Sequence, residues 1–133
     1  MAELKNENKK TFRGAYSKKK GNRYELQIIK ELNELYNTNS LVSARSESKR
    51  LDDAGVDVVD RENILNFLIQ VKCTQNCPNP AKLQAACKIK DKPLAIFWKS
   101  QVKKEQKCVS MGEFVMLDKK AFYELLKNQK AKE

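Results

Sequence analysis

GVDVVDRENILNFLIQVK, Gly55–Lys72, is the stretch from which the fold is read. Its first six residues read as a strand, with Val56 and Val58 on one face and Asp57 and Val59 on the other. Asp60, Arg61, Glu62 and Asn63 have turn character, and Leu65 to Lys72 reads as the next strand. So short a connection predicts an antiparallel hairpin. Alternation places Phe67, Ile69 and Val71 on one face of the second strand and Leu68, Gln70 and Lys72 on the other. Two polar side chains therefore lie side by side late in an otherwise apolar strand. Where the register brings Asp57 opposite them, a carboxylate, an amide and an ammonium meet at one point on the sheet. The alternative is a strand end that emerges into solvent at Gln70 and Lys72.

On the N-terminal side, Tyr24, Ile28, Ile29, Leu32, Leu35 and Tyr36 recur at helical spacing and predict a helix over Gly21 to Tyr36. At about 100° per residue, Glu25 projects within roughly 40° of Ile29, Leu32 and Tyr36. That puts a carboxylate on the apolar face, where it needs a cation, a metal or hydrogen bonds. The other reading keeps Glu25 wet in the first helical turn, favoured by the helix dipole. Residues 1–20 have little apolar pattern and are rich in lysine, including Lys18, Lys19 and Lys20, which predicts a flexible basic arm before a single domain over 21–133. Such an arm either contacts nucleic acid, with Phe12 and Tyr16 stacking on bases, or only aids solubility. Asn37 to Ser40 form a polar break, Leu41 to Arg45 a short strand, and Ser46 to Ala54 a charged loop.

On the C-terminal side, Asn79 followed by Pro80 is a helix start, and Ala81 to about Ile89 would form the helix. Leu94 to Trp98 is a continuous apolar run suited to a buried strand. A strand–helix–strand crossover predicts parallel pairing of Leu65–Lys72 with Leu94–Trp98. A strand at Phe114 to Leu117 and a last helix capped by Asp118 complete the reading. The expected class is α/β, a mixed central sheet flanked by helices in αβββαβ order.

The chain has 133 residues, 41% of them hydrophobic and 33% charged, in the globular range. No apolar run approaches the roughly 20 residues of a membrane helix, and the start lacks the apolar middle of a signal peptide, so a soluble cytoplasmic protein is expected. The net charge of +10 suits a polyanionic partner such as nucleic acid, although a basic surface without a specific partner has the same charge. Cys73, Cys77, Cys87 and Cys108 match no paired zinc-knuckle spacing and read as free thiols of a reducing compartment, with a four-thiolate zinc site as the alternative. With no histidine in the chain, Ser-His-Asp and Cys-His mechanisms are excluded.

Asp57, Gln70, Lys72 and Glu25 together suit metal-assisted phosphodiester hydrolysis. A hard cation such as Mg²⁺ prefers oxygen ligands. Asp57 would be the main ligand, Gln70 would add a carbonyl oxygen, and Glu25 would hold the metal or its water. Lys72 would orient the nucleophile or neutralise developing charge. One carboxylate fewer at the strand predicts weak metal affinity, with Mn²⁺ able to substitute for Mg²⁺ or preferred to it.

The segments KGNRYE (Lys20–Glu25), SARSES (Ser43–Ser48), GVDVVD (Gly55–Asp60) and IQVKCT (Ile69–Thr74) occur in the order found in PD-(D/E)xK nucleases. Over roughly residues 18–100 the chain most resembles the archaeal-type Holliday junction resolvases. Matched residue by residue, the family pattern falls on Gly21 and Glu25, Arg45 and Ser46, Asp57, and the pair Gln70 and Lys72. The resemblance implies a restriction-endonuclease-like core and a Mg²⁺-dependent endonuclease acting as a homodimer on four-way or other branched DNA. It also implies metal ligation by Asp57 and the residue at 70, a catalytic Lys72, and substrate contacts from Arg45 and Ser46. Arg23 and Lys18 to Lys20 are further expected DNA contacts. Gln70 departs from the commonest pattern, which has glutamate. VRR-type nucleases and a transposon end-cleaving nuclease carry glutamine there, so a nicking, restriction-like or VRR-type enzyme is one alternative and a non-cutting DNA-binding module another. The nearby Glu47, Asp52, Asp53, Asp60 and Glu62 read as solvated loop or turn charges, with Glu47 a candidate to replace the missing carboxylate.

Overall fold

The computed structural model describes the backbone of residues 2–131 and the side chains of residues 18–129. The elements are α1 (Ala2–Tyr36), β1 (Leu41–Ser43), α2 (Ala44–Glu47), α3 (Lys49–Asp53), β2 (Val58–Asp60), β3 (Leu68–Thr74), α4 (Pro80–Ala86), β4 (Leu94–Lys104), β5 (Lys107–Met116) and α5 (Lys119–Ala131). The class is mixed α/β: a mixed three-stranded sheet and an antiparallel two-stranded sheet, flanked by helices.

In the larger sheet β3 runs parallel to β4 and β4 antiparallel to β5. The expected parallel pairing is present, and α4 is its crossover. Asn79 starts α4 as expected, its Oδ1 accepting from the N–H groups of Ala81 and Lys82 at 3.1 and 3.2 Å. That helix stops at Ala86, short of the expected Ile89, because Cys87 turns extended and the Lys88 N–H bonds to the Ala54 carbonyl. Asp118 starts α5, accepting from the Ala121 N–H at 2.7 Å.

The expected hairpin of the Gly55–Lys72 stretch does not form. β2 pairs with β1, with Ser43 opposite Val58 and Leu41 opposite Asp60. The Asp60 carboxylate accepts from the N–H groups of Ile64 and Leu65 at 3.0 and 2.7 Å, which closes the turn before a ladder with β3 can grow. Ser46 to Ala54 is not a loop but the two short helices α2 and α3. The Ser48 hydroxyl caps α3 by accepting from the Leu51 N–H. Helix α1 runs through the expected start at Gly21 back to Ala2 without a break. The arm's Phe12 and Tyr16 side chains lie outside the described residues. β4 and β5 extend as a hairpin well beyond the expected Leu94–Trp98 and Phe114–Leu117.

Two apolar clusters sandwich the larger sheet. Tyr24, Ile28 and Ile29 of α1 pack on Ile69, Val71 and Ala95, with Leu41 and Val58 of the smaller sheet beside them. On the opposite face Val56, Cys87, Leu94 and Ile96 are buried, with Leu51 and Leu83 packed against them. The Asn33 side chain ties β1 to α1, donating to the Leu41 carbonyl at 2.9 Å and accepting from the Leu41 N–H at 3.1 Å.

Candidate active site

Asp57 lies just before β2, at the free edge of β3. Its backbone N–H donates to the Ile69 carbonyl at 2.8 Å, and its Oδ2 accepts from the Val71 N–H at 2.7 Å. These two bonds bracket Gln70, so Asp57 sits opposite it although no hairpin joins their strands. One residue thus does by backbone and side chain what a neighbouring strand would do by backbone alone. Burial pushes the Asp57 carboxyl from its ordinary 3.8 up to about 6. The Val71 N–H and the Lys72 ammonium hold that rise back, while the Glu25 and Asp52 carboxylates add to it.

Gln70 points toward the face that carries Val56 and Ile96, close to Gly55. Its Oε1 is buried and has no hydrogen-bond partner among the described residues. An unpaired buried carbonyl costs on the order of 1–3 kcal/mol. An amide oxygen of this kind is a ligand type that hard cations accept.

Glu25 is only 7% exposed, which rules out the wet reading; the long α1 also leaves it far from a helix start. The Ser43 hydroxyl donates a short hydrogen bond to its Oε1, and Arg45 Nε stands 3.9 Å from the same oxygen. Ser43 was not singled out from the sequence as a site residue. Its signal is the alternation of β1, which buries Leu41 and Ser43 on one side. Arg45 is turned to Glu25, and Ser46 donates its hydroxyl to the Ser43 carbonyl at 3.2 Å. Lys72, next on the Gln70 face of β3, is within electrostatic reach of Asp57.

The structure therefore brings Glu25, Asp57, Gln70 and Lys72 to one edge of β3. Of the expected DNA contacts, Arg45 and Ser46 adjoin Glu25 and Ser43, and the three lysines and Arg23 lie along α1. Lys18, Lys19 and Arg23 are exposed, and Lys20 and Arg23 line a small cavity with Tyr24, Cys73 and Lys99 on the α1 side of the sheet. Lys20 Nζ there donates to Cys108 Sγ at 2.5 Å. Glu47 pairs with Arg61 at 2.8 Å and does not stand in for the missing carboxylate. Asp60, expected as a solvated turn charge, holds backbone instead. All four cysteines are free thiols. Among the described residues, no three His, Cys, Asp or Glu side chains are grouped to hold a metal ion, and no helix is long and apolar enough to cross a membrane. The donor set at the β3 edge is two carboxylates and one amide oxygen. No family model, curated protein or solved structure matches the chain.

Proposed function

We propose that the chain is a divalent-metal-dependent DNA endonuclease of PD-(D/E)xK type that cuts branched DNA, in particular four-way junctions, as a homodimer. The observation that carries the reading is Asp57 bonded across the β3 edge to the residues on either side of Gln70, whose Oε1 is buried and unpartnered among the described residues, with Lys72 next on the same face of the strand. The restriction-endonuclease-like core belongs to the same proposal, supported by the parallel β3–α4–β4 crossover. Asp57 and Gln70 would hold Mg²⁺ or Mn²⁺, with Glu25 beside them. When bound, the cation supplies Lewis acidity at the phosphate and lowers the pKa of water. Lys72 stabilises the negative charge that grows on the phosphate as water adds to phosphorus and one P–O ester bond breaks. Ser43 and Arg45 position Glu25.

A non-cutting DNA-binding module is the second reading. It is favoured by an amide at position 70 and by the absence, among the described residues, of a three-acid group. One experiment separates the two: cleavage of labelled four-way junction and matched linear duplex with Mg²⁺, Mn²⁺ or EDTA, by wild type and Lys72→Ala. Metal-dependent cuts confined to the junction and lost in the variant are expected. Binding without cutting under every metal would leave the second reading.

A further inference from the structure

We propose that Trp98 and Phe114 form a stacking surface for an unpaired nucleobase beside Lys72. The inference rests on the nuclease reading and specifies its substrate: DNA with a base out of the duplex stack at the site of cutting.

Register places Lys72 opposite Trp98, and Trp98 opposite Phe114. The three side chains form one row across β3, β4 and β5, on the face that carries Gln70 and Ile96. The rows before it are covered, since Leu83 of α4 packs against the cluster of Leu94 and Ile96. In the Lys72–Trp98–Phe114 row, Lys72 and Trp98 are half-buried and Phe114 is 51% exposed.

Both rings are held in place. The Trp98 indole N–H donates to the carbonyl and hydroxyl oxygens of Thr74, each at 3.1 Å. The Phe114 ring centroid lies 5.7 Å away, tilted by 34°. A Cβ at Gly112 would come within 3.1 Å of the Phe114 ring, and its φ of +134° suits glycine, so the missing side chain leaves room for that ring against the strand. Prepositioned aromatic surface lowers the ordering cost of binding, and every nucleobase has a face to stack on it.

Charge selects the occupant. A groove of about 460 Å³ runs from Lys72 and Thr74 past Asn76 to Lys82. Among the described residues, its only charged lining side chains are Lys72 and Lys82, both positive. A second copy of this chain would bring like charges together, whereas the phosphates flanking a stacked base would meet opposite ones.

Trp98 is the chain's one tryptophan, so its emission reports on this surface alone. The full chain in EDTA is titrated with oligothymidylate of about 12 nucleotides, an abasic strand of the same length, and matched duplex, with binding followed independently by anisotropy. Quenching by thymidylate, but not by bound abasic strand or duplex, is expected. Phe114→Ala should weaken thymidylate binding roughly tenfold without moving abasic binding, and Phe114→Tyr should restore it. Thymidylate bound without quenching, equal quenching by abasic strand, no binding at all, or emission that shifts with protein concentration alone would each overturn the proposal. Cleavage without selective quenching would sink this inference and leave the nuclease reading; selective quenching without cleavage under any metal would do the reverse.

Discussion

At neutral pH the Asp57 carboxylate is ionised, although burial makes it a weaker acid in the folded chain than in the unfolded one. With an ordinary value of 3.8 and a folded value of about 6, the folded chain binds the extra proton between them. Stability therefore falls as pH rises through that window and stays lower above it, by up to roughly 3 kcal/mol. Asp57→Asn keeps an oxygen for the Val71 N–H and removes the charge. The variant should melt several degrees above wild type at about pH 7.5 without metal, and lose that advantage near pH 4. Equal melting differences at both pH values would mean that burial of the charge is not the cause. The same variant should not cut DNA. Gln70→Glu adds a third carboxylate beside Asp57 and Glu25. It should lower metal-free stability at neutral pH by about 1–3 kcal/mol and gain more than wild type from added Mg²⁺, as thermal melts would show. An unchanged response to Mg²⁺ would count against ligation at position 70.

Between elements, the Asn33 clamp holds β1 to α1 through both polar groups of Leu41, a residue only 1% exposed. Asn33→Ala leaves two buried backbone groups unpaired and should cost about 2–4 kcal/mol, against about 1 kcal/mol for Asn79→Ala at the exposed cap of α4. Denaturant unfolding of both variants checks the order. The same contrast governs what was legible in the sequence. Asn79–Pro80 and Asp118 announce helices because a cap acts on residues two or three positions away. The β3–β4 pairing was legible through the crossover helix. The partner of β2 was not: β2 is three residues long, and its pairing with β1 depends on where α1 leaves the chain. Glu25 could be placed by helical phase. Asp57 was expected to meet Gln70 only if a hairpin register allowed it; the hairpin is absent, and Asp57 reaches the β3 edge through one backbone bond and one side-chain bond to the neighbours of Gln70. The Lys72–Trp98–Phe114 row emerges only once the register of three strands is known.

In a chain of net charge +10, basic side chains line cavities on both faces of the larger sheet. Lys20, Arg23 and Lys99 gather on the α1 side, and Lys72 and Lys82 on the other. If the proposed site engages DNA, affinity should fall at least tenfold between about 50 and 200 mM salt. Lys82→Glu should flatten that dependence more than Arg23→Glu, measured by anisotropy with EDTA present. The opposite ranking would assign DNA to the α1 face.

The Val71 amide hydrogen is guarded by a carboxylate rather than by a neighbouring strand. Its exchange with deuterated solvent therefore depends on how firmly one side chain stays in place. As Asp57 gains a proton or turns toward a ligand, that guard weakens while the amides paired with β4 keep theirs. A single backbone position thus becomes a gauge of the site that needs neither substrate nor turnover.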